Sequence, residues 1–253
     1  MERLKRVKED QGELLPSGPD QLWQWIPALL GMPIEHSQPS GNGKPWMTWM
    51  TAVFITAMSL LAFTDLERMI QAYGLIPSEW DRMGGLTFLS SFFLHGGVLH
   101  LVGNLYFLLI FGDNAENELG SGKFLLLLFA AIFAGDLLHV AYDPYSTIPC
   151  VGASGGISGV IAFYALRFPT ARLSILHLFF FYPVWFRLRA IWAFGVWILL
   201  QIYLSYAQIQ GLGTVSAAAH IGGAIVGVFA WFIWRLNRPD QKREQMYGDR
   251  RDV

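Results

Sequence analysis

Ser154 lies in the stretch Gly152-Ala153-Ser154-Gly155-Gly156-Ile157-Ser158-Gly159, among four glycines at the head of an apolar run of helix length. A hydroxyl on so bare a backbone can be approached from several sides, and a base beside it would make it a nucleophile. His220 is the candidate base. His100 and Asn104 fall at i and i+4, so a helix would carry both on one face. The chemistry these residues could perform together is acyl transfer. A neutral imidazole takes the serine proton, and nearby donors receive the oxyanion of the tetrahedral intermediate. Backbone N–H groups at a helix head, that of Gly155 among them, have no partner within the helix and can serve. The His100 imidazole and the Asn104 amide are the side-chain donors. No acidic residue on the segments carrying these groups stands to orient His220, so the expected arrangement is a Ser–His pair without a third member.

The elements that must position them are membrane spans. The chain is 253 residues long, 53% hydrophobic and 15% charged, with a mean hydropathy of +0.38. A soluble domain carries about 25% charged residues. The charges crowd into the ends and short loops and leave long uncharged runs, the pattern of a polytopic membrane protein. Six spans are expected: Trp46–Phe63, Gly84–Phe111, Phe124–Tyr142, Val151–Leu166, Ala190–Ile209 and Leu212–Trp234. The second is too long for one straight span, so its first part belongs near the interface. Leu173–Phe186 is apolar but short and broken by Pro183, which suits a surface-lying connector. Residues 1–45 hold six prolines and read as a cytoplasmic N-terminal segment of low order, with a short amphipathic helix or packed turn around Trp23, Trp25, Ile26, Leu29 and Leu30. Residues 46–236 form the membrane domain and 237–253 a cytoplasmic tail. The charged first ten residues do not read as a cleavable signal.

With six spans, sixteen Lys and Arg fall on the side of the termini, and only Arg68 and Arg82 fall opposite. By the positive-inside rule both ends face the cytoplasm. Ser154, His220, His100 and Asn104 then share roughly one depth in the outer half of three spans. Intramembrane polar side chains are costly and face a bundle interior or a water cavity. Gly155 and Gly159 on one span, and Gly223 and Gly227 on another, form four-residue small steps that let two helices approach closely. That approach would bring His220 to Ser154, although such steps also serve packing alone.

These residues resemble the rhomboid family of intramembrane serine proteases. Gly152-Ala153-Ser154-Gly155 looks like the family's G-x-S-G, which carries the nucleophile. Ala219-His220-Ile221-Gly222-Gly223-Ala224-Ile225-Val226-Gly227 looks like A-H-x-x-G-x-x-x-G, which carries the base. His100-Leu101-Val102-Gly103-Asn104 looks like H-x-x-x-N, whose side chains help form the oxyanion hole, and His95 matches a further histidine upstream. Glu116 to Gly120 is similar to E-x-x-x-G. The resemblance covers about residues 46–236. It implies an all-α polytopic membrane protein with the six-helix rhomboid fold. It also implies an intramembrane serine endopeptidase acting near the outer membrane face on transmembrane segments of other proteins. No cofactor and no metal are implied, and the expected location is a bacterial inner membrane. Two departures stand out. Leu86-Thr87 replace a Trp-Arg found in some members, and Ser158 replaces a tyrosine that stacks on the base.

A non-catalytic rhomboid-like scaffold that binds transmembrane helices is the main alternative, and the presence of both Ser154 and His220 argues against it. A transporter would show half-helices or an internal repeat, and neither appears. The histidines lack close metal-ligand spacing. A net charge of −1 gives no field for nucleic acid. The match of Gly152–Gly156 to G-x-S-x-G lacks the strand that a hydrolase elbow needs. Asp136 and His139, at i and i+3, read as a structural hydrogen-bonded pair, and Cys150 as a small loop residue. The partners expected are transmembrane substrates and lipid; the oligomeric state is left open.

Overall fold

The computed structural model describes residues 24–35, 43–179, 182–210 and 216–237. In chain order its elements are α1 (Trp25–Leu29), β1 (Ile34–Glu35), α2 (Trp46–Ala62), α3 (Leu66–Tyr73), α4 (Thr87–Phe93), α5 (Val98–Leu119), α6 (Ser121–Tyr142), α7 (Ser154–Arg167), β2 (Arg172–Phe179), β3 (Tyr182–Arg189), α8 (Ala190–Ile209) and α9 (Ala217–Leu236). They fall into two compact units: residues 24–35 with 168–196, and residues 43–167 with 197–237.

The larger unit is a helical bundle. α7 packs along α9 and against α6 and α5, and α2 packs on α5. The helices are apolar all round, and many large side chains point outward, such as Val53, Leu126 and Phe229. That outward apolar surface suits hydrocarbon rather than water. Five helical segments are long and apolar enough to cross a membrane: Trp46–Tyr73, Val98–Leu119, Ser121–Tyr142, Ala190–Gln208 and Ala217–Leu236. The chain is thus an integral membrane protein of helical fold. The fourth expected span is the shorter α7, 14 residues long, which is buried along most of its length.

Two boundaries differ from expectation. The second span begins at Val98, after the short α4 and the turn at 94–97, and runs to Leu119 through Asp113 and Glu116. A helix can hold Glu116 because its carboxylate is saturated with donors. Oε1 accepts from Met47 N–H at 3.0 Å and Ser121 Oγ at 2.6 Å. Oε2 accepts from Thr48 N–H and Thr48 Oγ1, both at 2.8 Å. Met47 and Thr48 are in the first turn of α2, where N–H groups have no helical partner and the helix dipole favours an anion. Glu116 is therefore the cap of a different helix. Glu116→Ala should cost about 2–4 kcal/mol, since it strands buried donors. The exposed Glu67→Ala should stay within about 0.5 kcal/mol. Thermal melting in detergent compares them, and equal melting points would refute the cap.

The last span begins at Ala217 rather than Leu212, with Ser216 as N-cap accepting from Ala219 N–H. Residues 211–215, and Trp23 in the N-terminal segment, lie outside the described residues.

In the smaller unit the expected connector is an antiparallel hairpin. β2 and β3 pair from Arg172 opposite Arg189 to Phe179 opposite Tyr182. β1 adds to the other side of β2, giving the order β1-β2-β3. Ile34 and Glu35, in a segment expected to be of low order, pair with Ser174 and Leu173. Ala28, Ile34, Leu176 and Trp185 form its small core, and Trp25 meets Trp185 edge-on at 5.8 Å. Pro183 is tolerated because β3 is an edge strand.

Candidate active site

The loop before α7 is pinned from several directions. Leu75 and Cys150 exchange both backbone hydrogen bonds, at 3.0 and 2.8 Å, and Gly152 N–H donates to Ser91 O at 2.9 Å. Gly152 has φ +129°, in the region that favours glycine. A Cβ there would also lie 2.8 Å from His100 Cε1 and Nε2. Glycine is needed on both counts. Ala153 N–H donates to His95 Nε2 at 3.5 Å. Nδ1 of His95 then carries the proton and donates to Ser59 Oγ at 2.9 Å, while Ser59 donates to Phe93 O at 3.0 Å. His95 is fully buried and ties the serine loop to α2.

Ser154 is the first residue of α7 rather than lying within a span. The first helical bond runs from Ile157 N–H to Ala153 O at 3.0 Å. By helix geometry the N–H groups of Ser154, Gly155 and Gly156 have no partner inside α7. They lie in the turn that carries the serine.

α9 brings the base. A Cβ on Gly223 would collide with Gly155 O, and one on Gly227 with Gly159 O. A Cβ on Gly159 would stand 2.5 Å from Ala131 Cβ, and one on Gly222 2.6 Å from Ala134 O. The expected small-residue contact is therefore formed, and α6 joins it. His220, in the first turn of α9, places Nε2 2.8 Å from Ser154 Oγ. The head of α9 is itself fastened by Ser216 Oγ, 2.8 Å from His139 Nδ1. Asp136 instead accepts from Ser91 Oγ at 3.3 Å. The two residues expected to pair are each bonded to another element. Asp136 points to the loop side of the serine and His139 to the cap of α9.

His100 lies against the serine loop. Its Nδ1 accepts from Gly96 N–H at 3.4 Å. In the neutral ring Nε2 then carries the proton, on the edge facing Gly152. Asn104 is buried, and its Nδ2 donates to His100 O at 3.0 Å. Ser158 also folds back, donating to Ser154 O at 2.6 Å. Burial, with Asp136 adding to it, pushes the Cys150 thiol up to about 12. Cys150 is therefore a neutral thiol and no competing nucleophile.

Sequence reasoning missed two neighbours of His220, both on α8. Gln201 Oε1 lies 2.8 Å from His220 Nδ1. The Trp197 ring is 6.1 Å from the imidazole at 32°. They are four residues apart, on one helix face. The available signal was a glutamine in the middle of an uncharged span, which a bilayer tolerates only facing a partner.

Residues 82–237 match the Rhomboid domain family model. The chain is 28% identical over 208 residues to Rhomboid protein 1, mitochondrial, of Saccharomyces cerevisiae, covering 79% of this chain and 56% of that protein. It is 31% identical over 203 residues to Rhomboid protease GluP of Bacillus subtilis, covering 75% and 35%. It is also 31% identical over 211 residues to the human Presenilin-associated rhomboid-like protein, mitochondrial, covering 78% and 52%. The chain thus spans about half the length of these relatives or less. Mitochondrial and bacterial proteins both match, so the expected bacterial inner membrane draws no support from them. The family model takes in α4 to α9, and with them Ser154, His220, His100, Asn104 and Gln201: the chain belongs to the rhomboid family.

Proposed function

We propose that this chain is an intramembrane serine endopeptidase in which Ser154 is the nucleophile and His220 the base. The observation that carries the reading is the 2.8 Å contact of Ser154 Oγ with His220 Nε2 at the head of a buried helix. Family membership, with a named protease among the relatives, supports the reaction class.

The steps follow from the geometry. Ser154 Oγ attacks the peptide carbonyl carbon as its proton passes to His220 Nε2. The oxyanion is received by backbone N–H groups at the head of α7, that of Gly155 among them. His100 Nε2–H stands on the neighbouring side, and Asn104 anchors the His100 backbone. The intermediate collapses, His220 returns the proton to the leaving amine, and Ser154 retains the acyl group. Water activated by His220 then releases it. A helical substrate hides its peptide carbonyls, so the segment must open locally, which residues of low helix propensity favour. The positive-inside bias puts Ser154 toward the outer face and both termini in the cytoplasm. A scaffold that only bound helices would have no use for an imidazole hydrogen-bonded to a serine.

The test is labelling of the purified protein by a fluorescent fluorophosphonate, which modifies only an activated serine. Wild type should label on Ser154, and His220→Ala should label at least about 100-fold more slowly, since a positioned base contributes at least that much to a single proton transfer. Equal labelling of the two would remove the dyad.

A further inference from the structure

We propose that Gln201 is the positioning residue for the base: it holds His220 in the tautomer that leaves Nε2 free to take the proton of Ser154. The inference rests on the protease reading for its kinetic consequence, but not for its structural content.

The argument begins with the amide. Oε1 of Gln201 can only accept a hydrogen bond. Since it lies 2.8 Å from His220 Nδ1, that nitrogen carries the proton. Nε2 of the neutral ring is then bare and accepts from Ser154 Oγ–H at 2.8 Å. Without an acceptor at Nδ1 the ring would be free to carry its proton on Nε2. It would then donate to the serine rather than accept from it, and could not act as base. Gln201 is buried, at 4% exposure, in a helix without a charged residue. Trp197, four residues earlier, covers the ring from the same helix face. One face of α8 thus supplies both the ring's hydrogen-bond acceptor and its aromatic neighbour. Ser158, which stands where some family members have a tyrosine, has no ring to offer and donates to Ser154 O instead.

An amide suits the place. A carboxylate at 201 would bring a charge to membrane depth, where burial is costly without a permanent countercharge. A neutral acceptor fixes the tautomer without that cost. It also gives less support to the imidazolium formed during turnover.

The experiment uses the full chain in detergent micelles with ¹⁵N-labelled histidine, the His220 signals being assigned by their loss in His220→Gln. Wild type should show a protonated Nδ1 and a bare Nε2. In Gln201→Leu a substantial fraction should shift to the Nε2-protonated form, and Gln201→Glu, which keeps an acceptor, should restore the wild-type tautomer. An unchanged His220 spectrum in Gln201→Leu would overturn the proposal whether or not the protein cleaves anything. In the cleavage assay Gln201→Leu should lose about 10–100-fold in kcat with KM within about twofold, as expected when a hydrogen bond to the reacting base is removed. Gln201→Glu should regain part of that rate and move the acid limb of its pH profile upward, since a carboxylate beside an imidazole favours the charged ring. If wild type cleaves, Ser154→Ala does not, and Gln201→Leu matches wild type, the protease reading stands and this inference alone fails. If wild type cleaves nothing while the tautomer shifts as stated, the protease reading fails and the positioning role stands.

Discussion

Ser154→Ala should leave a folded protein that cleaves nothing measurable. The side chain removed is half-buried and contributes one hydrogen bond to His220. A neutral bond of that kind contributes about 1 kcal/mol to stability, so melting should fall by only a few degrees. Activity is another matter. Without the hydroxyl no acyl-enzyme forms, and loss of a nucleophile or its base in a serine protease costs on the order of 10⁶ in kcat. His220→Ala should be about as severe. The double variant should be no worse than either, because the two residues act on one proton. The measurement is cleavage of a single-span model substrate in liposomes, followed by gel, with thermal melts alongside. Cleavage by Ser154→Ala at even one hundredth of the wild-type rate would put the nucleophile elsewhere.

Gly223→Ala should disable the protein by another route. The added methyl would overlap Gly155 O, a backbone atom at the second residue of α7, which no rotamer change can move aside. α7 and α9 must then part. Overpacking in a well-packed core costs about 1–3 kcal/mol and sometimes more, and backbone-on-backbone overlap belongs at the upper end. The same parting pulls His220 from Ser154, so activity should fall by more than the loss of folded protein explains. Gly195→Ala is the informative contrast. It lies in α8 with nothing near its would-be Cβ, and alanine in a helix is favoured over glycine by about 1 kcal/mol. It should melt at or above wild type. Equal melting of Gly223→Ala and wild type would mean that the helices are further apart than described.

The helical membrane character and the small-residue steps were legible in the sequence because both depend on local features. Long apolar runs, a polar residue inside one, and small residues at four-residue steps are each visible within twenty residues. The missing parts depend on what a residue meets across the fold. Gln201 shows in sequence only as a polar residue in a span; that it faces His220 follows from where α8 sits. Glu116 reads as a loop residue until the head of α2, some seventy positions earlier, supplies its donors. Asp136 and His139 share a helix face, and that spacing suggested a pair, but each found its partner on another element. The hairpin at 172–189 was hidden by composition, because its apolar run was weighed only against the length of a span and not against strand pairing. Ser158 was noted as a departure, but its consequence needed the position of Trp197.

The brevity of α7 has a consequence of its own. Fourteen residues at 1.5 Å each make a rod of about 21 Å, whereas the hydrocarbon layer is about 30 Å thick. The helix that carries Ser154 falls short of the bilayer by roughly a third. Under the proposed activity the serine is therefore set back from one surface, where water can follow it down, and the other end of the rod rests on its flanking helices. A protease built this way would work as a depth gauge. Which peptide bond is cut is decided first by how far below the surface it lies when its chain arrives, and only then by the side chains around it. Changing the thickness of the membrane would move the cut along the substrate without altering a residue of the enzyme.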